Sequence, residues 1–148
     1  METSIAYLAT DIGRLFRKRV DCAARPVGVT GAQLRVMLYL LRNPGANQAS
    51  LAAFLEIEPI TAGRMVDRMA GSGLVERRPD PADRRAWRLF VTAKGEGLVL
   101  ELRPELNRLI DESLSGLKQP ERDILADLLR LVRANLLEQT ETPEKAHG

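Results

Sequence analysis

Arginine is the residue type here whose placement could do chemistry. Arg64 and Arg68 stand one helical turn apart, with Thr61 three residues ahead of Arg64. At about 100° per residue a helix brings these three to one side, with Ile60 at the margin. Ala62, Met65, Val66 and Met69 fall on the opposite side. Such an outer face suits the major groove of a duplex. Arg64 can donate two parallel hydrogen bonds to guanine, and Thr61 or Ile60 can touch a thymine methyl. A solvated helix face with ordinary arginines is the bland alternative.

A second basic cluster lies downstream. Arg84 and Arg85 end a loop, Pro79-Asp80-Pro81-Ala82-Asp83-Arg84-Arg85, whose prolines and aspartates mark it as exposed. Arg77, Arg78 and Arg88 flank it. An arginine on a slim hairpin can enter a narrow minor groove, where the negative potential is enhanced. Asp83 beside the basic pair is expected to accept hydrogen bonds from an arginine and fix its aim. Scattered surface ion pairs are the competing account. Gln48, with Asn47 and Ser50, opens a helix whose free N–H groups favour phosphate; helix capping alone would also explain them.

Other chemistries have little to work with. Cys22 is the only cysteine and His147 the only histidine, so an internal disulfide, a thiolate metal cluster and histidine-centred catalysis are excluded. The sequence offers no nucleophile–base pair and no phosphate-cradling glycine loop. The expectation is no enzyme, no catalytic residues, no metal and no cofactor. Residues 1–95 carry 15 Lys/Arg against 9 Asp/Glu, and residues 96–148 carry 7 against 11. A basic front and an acidic rear point to a polyanion on one surface and another role for the rest. No apolar run approaches the roughly 20 residues of a membrane span, and Met1-Glu2-Thr3-Ser4 does not start like a signal peptide. The expected address is cytoplasmic, with no membrane partner.

The elements that must position these residues are legible as periodicity. Ile5, Leu8, Ala9, Ile12, Leu15, Phe16 and Val20 recur at helical spacing, and Arg25-Pro26-Val27-Gly28 stops the run. Thr30-Gly31-Ala32-Gln33 reads as a capping box before a second stripe of Leu34, Met37, Leu38 and Leu41, stopped by Asn43-Pro44-Gly45. Asn47 caps a short third helix with Leu51, Phe54 and Leu55. Only Glu56-Ile57-Glu58 separates it from a fourth, opened by Pro59 and closed by Gly73. Two short helices joined so tightly match a helix-turn-helix. Residues 74–78 and 86–91 read as two strands of a hairpin. Thr92 caps a fifth helix carrying Val99, Leu102, Leu106, Leu109 and Ile110, which Pro104 should kink. Gln119-Pro120 precedes a sixth with Ile124, Leu125, Leu128, Val132 and Leu136. Residues 139–148 read as a flexible polar tail.

With these pieces in order, the chain resembles the MarR family of bacterial regulators, and within it the SlyA-like branch. The match is strongest at Gly73-Leu74-Val75-Glu76-Arg77-Arg78, then Asp80-Pro81-Ala82-Asp83-Arg84-Arg85, then Val91-Thr92. The family pattern is an Asp-x-Arg wing, five further residues and a Leu-Thr pair; Val91 stands where leucine is usual. The resemblance implies a mainly α (α+β) winged helix-turn-helix fold with six helices and a two-stranded wing. It implies one domain over residues 1–138, with the DNA-reading part at 30–92 and dimerisation helices at 5–25 and 93–138.

The same resemblance implies a homodimer that binds double-stranded DNA at an inverted repeat, half-sites about one turn apart. Arg64 would read bases, Arg85 would enter the minor groove and Asp83 would orient it. The function so implied is a transcriptional regulator, a repressor released by a small aromatic carboxylate. The matching ligand positions are Arg14 and Arg17, with Leu34 and Leu38 opposite, an apolar slot with a cationic group. Those arginines could equally serve the dimer surface or the DNA backbone. Some relatives sense peroxide through a first-helix cysteine; Cys22 reads instead as structural. A winged helix used only for protein–protein contact is the alternative function, disfavoured by the charge on the fourth helix's outer face.

Overall fold

The protein is described from a computed structural model covering residues 2–141. Its elements in chain order are α1 (Glu2–Ala24), a short 3-10 turn (Arg25–Val27), α2 (Gly31–Arg42), α3 (Gln48–Leu55), α4 (Pro59–Gly71), β1 (Val75–Pro79), β2 (Trp87–Val91), α5 (Ala93–Ser113) and α6 (Gln119–Glu141). Six helices and a two-stranded antiparallel hairpin are the architecture expected. Both strands begin one residue later than the pattern suggested. α6 continues to Glu141, into what reads as tail; residues 142–148 lie outside the described residues, and His147 with them.

The chain divides into two compact units, the first ending at Leu109 and the second beginning at Ile110. In the first, α2 supplies Leu34, Val36, Met37 and Leu40 to a core joined by Leu51, Val66, Met69, Leu74, Val75, Leu89, Val99 and Leu102. Burying one such side chain contributes roughly 1.5–3 kcal/mol, so the core holds α2, α3, α4, the hairpin and early α5 as one body. The α2 start is a complete capping box: Gln33 N–H donates to Thr30 Oγ1 at 3.0 Å, and Thr30 N–H donates to Gln33 Oε1 at 3.1 Å. The loop before α3 adds an antiparallel bridge to the hairpin that periodicity did not disclose. Leu89 N–H donates to Ala46 O, and Gly45 N–H donates to Leu89 O, both at 2.9 Å.

Thr92 ties three elements at one atom. Its hydroxyl donates to Gly73 O at 2.5 Å, just past α4, and accepts from Gly95 N–H at 3.1 Å in the first turn of α5. Gly95 has to be small here, since a Cβ would sit 2.4 Å from Leu74 O and 2.8 Å from Val91 Cγ1. α5 continues through Pro104.

The terminal helices are different in kind. On α1, Ile5, Leu8, Ile12 and Leu15 are at least half exposed. In the second unit, Arg122 bonds Asp111 at 2.6 Å and Leu117 O at 3.1 Å, closing the α5–α6 turn. No described side chain of α6 is buried, although Ile124, Leu128, Leu131 and Val132 are apolar. Among the described residues no helix is long and apolar enough to cross a membrane.

Candidate nucleic-acid interface

The turn between α3 and α4 is tight because of one unusual residue. Glu56 closes α3 in the left-handed conformation, φ 56°, and its N–H donates to carbonyls of the last turn. A non-glycine residue there carries a strain of roughly 1–2 kcal/mol. Asn47 caps the other end, accepting from Ser50 N–H at 2.8 Å. Gln48 does not simply point at solvent: its amide donates to Pro59 O at 3.1 Å and lies over Gly63, joining the two helices.

Across α4, Ala62, Val66 and Met69 are buried and Met65 is half-buried, which fixes the rotation of the helix about its axis. Ile60, Thr61, Arg64 and Arg68 are all exposed on the outer side. The face expected from spacing is the face observed.

The hairpin's arginines separate into two groups. Arg77 reaches back to α4, its guanidinium 2.6 Å from Asp67 and 3.3 Å from Gly63 O. Arg78 pairs with Glu76 and lies over the Phe90 ring, 4.1 Å from its centroid. Arg88 meets Asp80 at 3.3 Å. Arg84 and Arg85, at the tip, are exposed and make no ion pair among the described residues; the same holds for Arg64 and Arg68. Four free cations therefore line one helix face and one loop.

Asp83 works differently from expectation. Its carboxylate accepts the backbone N–H of Arg85 at 3.0 Å, not a guanidinium, and its carbonyl accepts from Ala86 N–H at 3.1 Å. It shapes the loop backbone from which Arg85 projects. Asp80, given no role of its own from the sequence, does the same at the other side: it accepts from Ala82 N–H at 2.8 Å as well as from Arg88. That backbone bond holds its carboxyl below the ordinary value; desolvation opposes the shift, and Arg88 adds to it.

The residues proposed to hold an effector do not converge as a set. A cleft of about 570 Å³ between α1 and the start of α2 is lined by Phe16, Arg17, Val20, Asp21 and Arg35, among others. Arg17 is in it. Arg14 is elsewhere, 3.7 Å from Asp11 one turn back. Leu34 is wholly buried in the core, and Leu38 packs against that core. Their assignment rests on the family resemblance, which does not account for the core's demand on α2. Asp21 lies at the α2 N-terminus, accepting from Gly31 N–H at 2.5 Å. Among the described residues no group of acidic, cysteine or histidine side chains could hold a metal ion.

Sequence spacing found α4's outer face and the loop tip but not Asp67, nor the partners of Arg77 and Asp80. For Arg77 a signal existed. Side chains alternate along a strand, so it shares a face with buried Val75 and must find a partner there.

Residues 27–86 of the chain match the MarR family. The uncharacterized HTH-type transcriptional regulator YybA of Bacillus subtilis (strain 168) is 27% identical over 123 residues, covering 83% of this chain and 82% of that protein. Among solved structures, the transcriptional regulator SlyA superposes with a TM-score of 0.81 at 25% identity, over 93% of this chain and 96% of its own. A mutant MarR from E. coli complexed with operator DNA shares the fold, with a TM-score of 0.74 at 22% identity over 87% of this chain and 93% of that one.

Proposed function

We propose that this chain, whose residues 27–86 match the MarR family, is a transcriptional regulator of that family and represses by binding an inverted-repeat operator as a homodimer. Arg64 and Arg68, with Thr61 and Ile60, read the major groove, and the wing tip places Arg85 in the adjacent minor groove with Arg84 on phosphate. Asp83 sets the backbone under Arg85. Gln48 contributes the start of α3, where backbone N–H groups face phosphate. One observation carries the reading: among the described residues of α3, α4 and the hairpin, Arg64, Arg68, Arg84 and Arg85 are exposed and without acidic partners, while their neighbours Arg77, Arg78 and Arg88 are paired.

A second copy of the chain covers the apolar residues that α1 and α6 each leave exposed. Two copies of α4, related by a two-fold axis, then require two half-sites about one helical turn apart. Arg17 and Arg35 in the α1–α2 cleft give a small aromatic carboxylate its charge partner, with Phe16 and Val20 as apolar wall. Binding-site selection from a random-sequence duplex pool tests the reading, repeated with benzoate-type acids present. An inverted repeat is expected, with release by an acid. Recovery of no preferred sequence would overturn the operator.

A further inference from the structure

Trp87 is the only tryptophan in the chain, and half of its surface is exposed. It opens β2 immediately behind the arginine-bearing tip, paired in register with Pro79. Strand alternation puts it on the face shared by Leu89 and, across the ladder, by Arg77. Leu89 on that face is wholly buried, and Arg77 reaches α4. Arg78, stacked over Phe90, belongs to the other face. The indole therefore prolongs the α4-facing side of the hairpin beyond the point where Leu89 closes the core.

The ring lies outside the buried core, and half of it is left to solvent. Its neighbours limit what could cover it. Arg84 and Arg85, exposed and without ion pairs among the described residues, lie within three residues, whereas the centre of a protein–protein interface is depleted in charge. The surroundings call for a polyanion that also offers apolar surface. Duplex DNA does so along its backbone, where deoxyribose faces alternate with phosphates. An indole suits such a boundary, with an apolar body and one N–H to donate.

We propose that Trp87 is a DNA-contacting residue of the wing, its ring packed on deoxyribose beside the groove entered by the tip and its Nε1–H donating to a phosphate. The proposal rests on the DNA-binding reading above. It adds contact area to a loop otherwise held to DNA by charge, and that contact has a weaker salt dependence than the arginines'.

The single tryptophan makes the test direct. Full-length protein is titrated with a fluorescein-labelled duplex taken from the selected pool, reading label anisotropy and, with unlabelled duplex, tryptophan emission and acrylamide quenching. Expected are a saturable emission change with the same midpoint as the anisotropy and at least a threefold drop in quenching. Trp87→Ala should lose roughly tenfold in affinity, about 1.4 kcal/mol, while Trp87→Phe recovers most of it; both should melt within a few degrees of the parent. Binding by anisotropy with an indole as accessible as before, and a Trp87→Ala variant of parental affinity, would overturn this placement alone. A parent protein that binds no duplex overturns the DNA reading and this proposal together.

Discussion

Arg77 Nη1 lies 2.6 Å from Asp67 Oδ1 and Nη2 lies 3.3 Å from Gly63 O, so one guanidinium on the wing grips the helix that carries Arg64. The wing and α4 are thereby set at a fixed spacing by a side chain that does not itself face outward. Arg77 is three-quarters buried, but Asp67 is largely exposed, so the pair's worth to stability is small, about 1 kcal/mol or less. Its larger effect is on aim. Arg77→Met should leave the thermal midpoint nearly unchanged while weakening DNA binding by up to the roughly 1–3 kcal/mol of a lost groove contact. Because Arg77 is turned toward Asp67 and Gly63 O and not outward, the salt dependence should keep its slope. A shallower slope in Arg77→Met would show that this arginine meets DNA directly.

The free tip arginines should behave in the opposite way. Arg84→Ala, removing one phosphate contact per protomer, should lower the slope of log K against log salt by about 0.9 for each protomer. Arg85→Ala should cost about 1–3 kcal/mol and relax sequence preference at the flanks, as loss of a groove contact does. Fluorescence anisotropy at several salt concentrations separates the two. If both variants keep the parental slope and affinity, the wing is not on DNA.

Glu56 offers a test of strain at the helix-turn-helix. Its φ of 56° is glycine's territory, and among the described residues its side chain makes no compensating hydrogen bond or ion pair. Glu56→Gly should therefore stabilise the fold, by about 0.5–1 kcal/mol once glycine's greater unfolded-state freedom is subtracted. Urea denaturation reads this directly, with an unchanged m-value. Destabilisation would mean that the Glu56 side chain holds the turn.

What the sequence made legible was whatever depends on local periodicity or on one residue's backbone preference. The Thr30–Gln33 capping box, Asn47, Pro59 and Gly73 each act within a few residues, and each stands where its type predicts. The outer face of α4 was legible because its inner face is apolar at the right period. Long-range partners were not. Asp67 and Arg77 are ten residues apart on different elements, and Arg88 reaches Asp80 across the whole loop. The stripe of Leu34 and Met37 was legible as core, whereas the ligand position given to Leu34 came from the family resemblance alone. Asp83 was rightly coupled to Arg85, but through the backbone N–H, a bond that local aspartate chemistry favours over a flexible guanidinium.

The wing loop should be acid-sensitive, with a defined direction. Asp80 is held below its ordinary value mainly by the Ala82 N–H, against desolvation and with help from Arg88. A carboxyl with a depressed folded value contributes fully above its unfolded value and loses that contribution as pH falls through the lower folded one. Order at residues 80–88 should thus be constant through neutral pH and fail only in acid, below the usual carboxylate range. The Ala82 amide shift, followed by NMR, should titrate with a midpoint below that of free aspartate. A midpoint at or above it would mean the Ala82 bond contributes nothing.

The terminal helices carry the last prediction. Leu128 on α6 is more than half exposed, and no described side chain of that helix is buried, so a polar residue there removes nothing from the chain's own core. Leu128→Glu should leave the helical content intact but convert a dimer to a monomer, read by sedimentation equilibrium. Buried in a second copy, two such glutamates would each lose hydration without a partner, at a cost of several kcal/mol. Affinity for an inverted repeat should then fall far more than for a single half-site, because the fixed spacing of two reading heads is lost. A Leu128→Glu protein that stays dimeric and binds the full site as before would move the subunit contact off this face of α6.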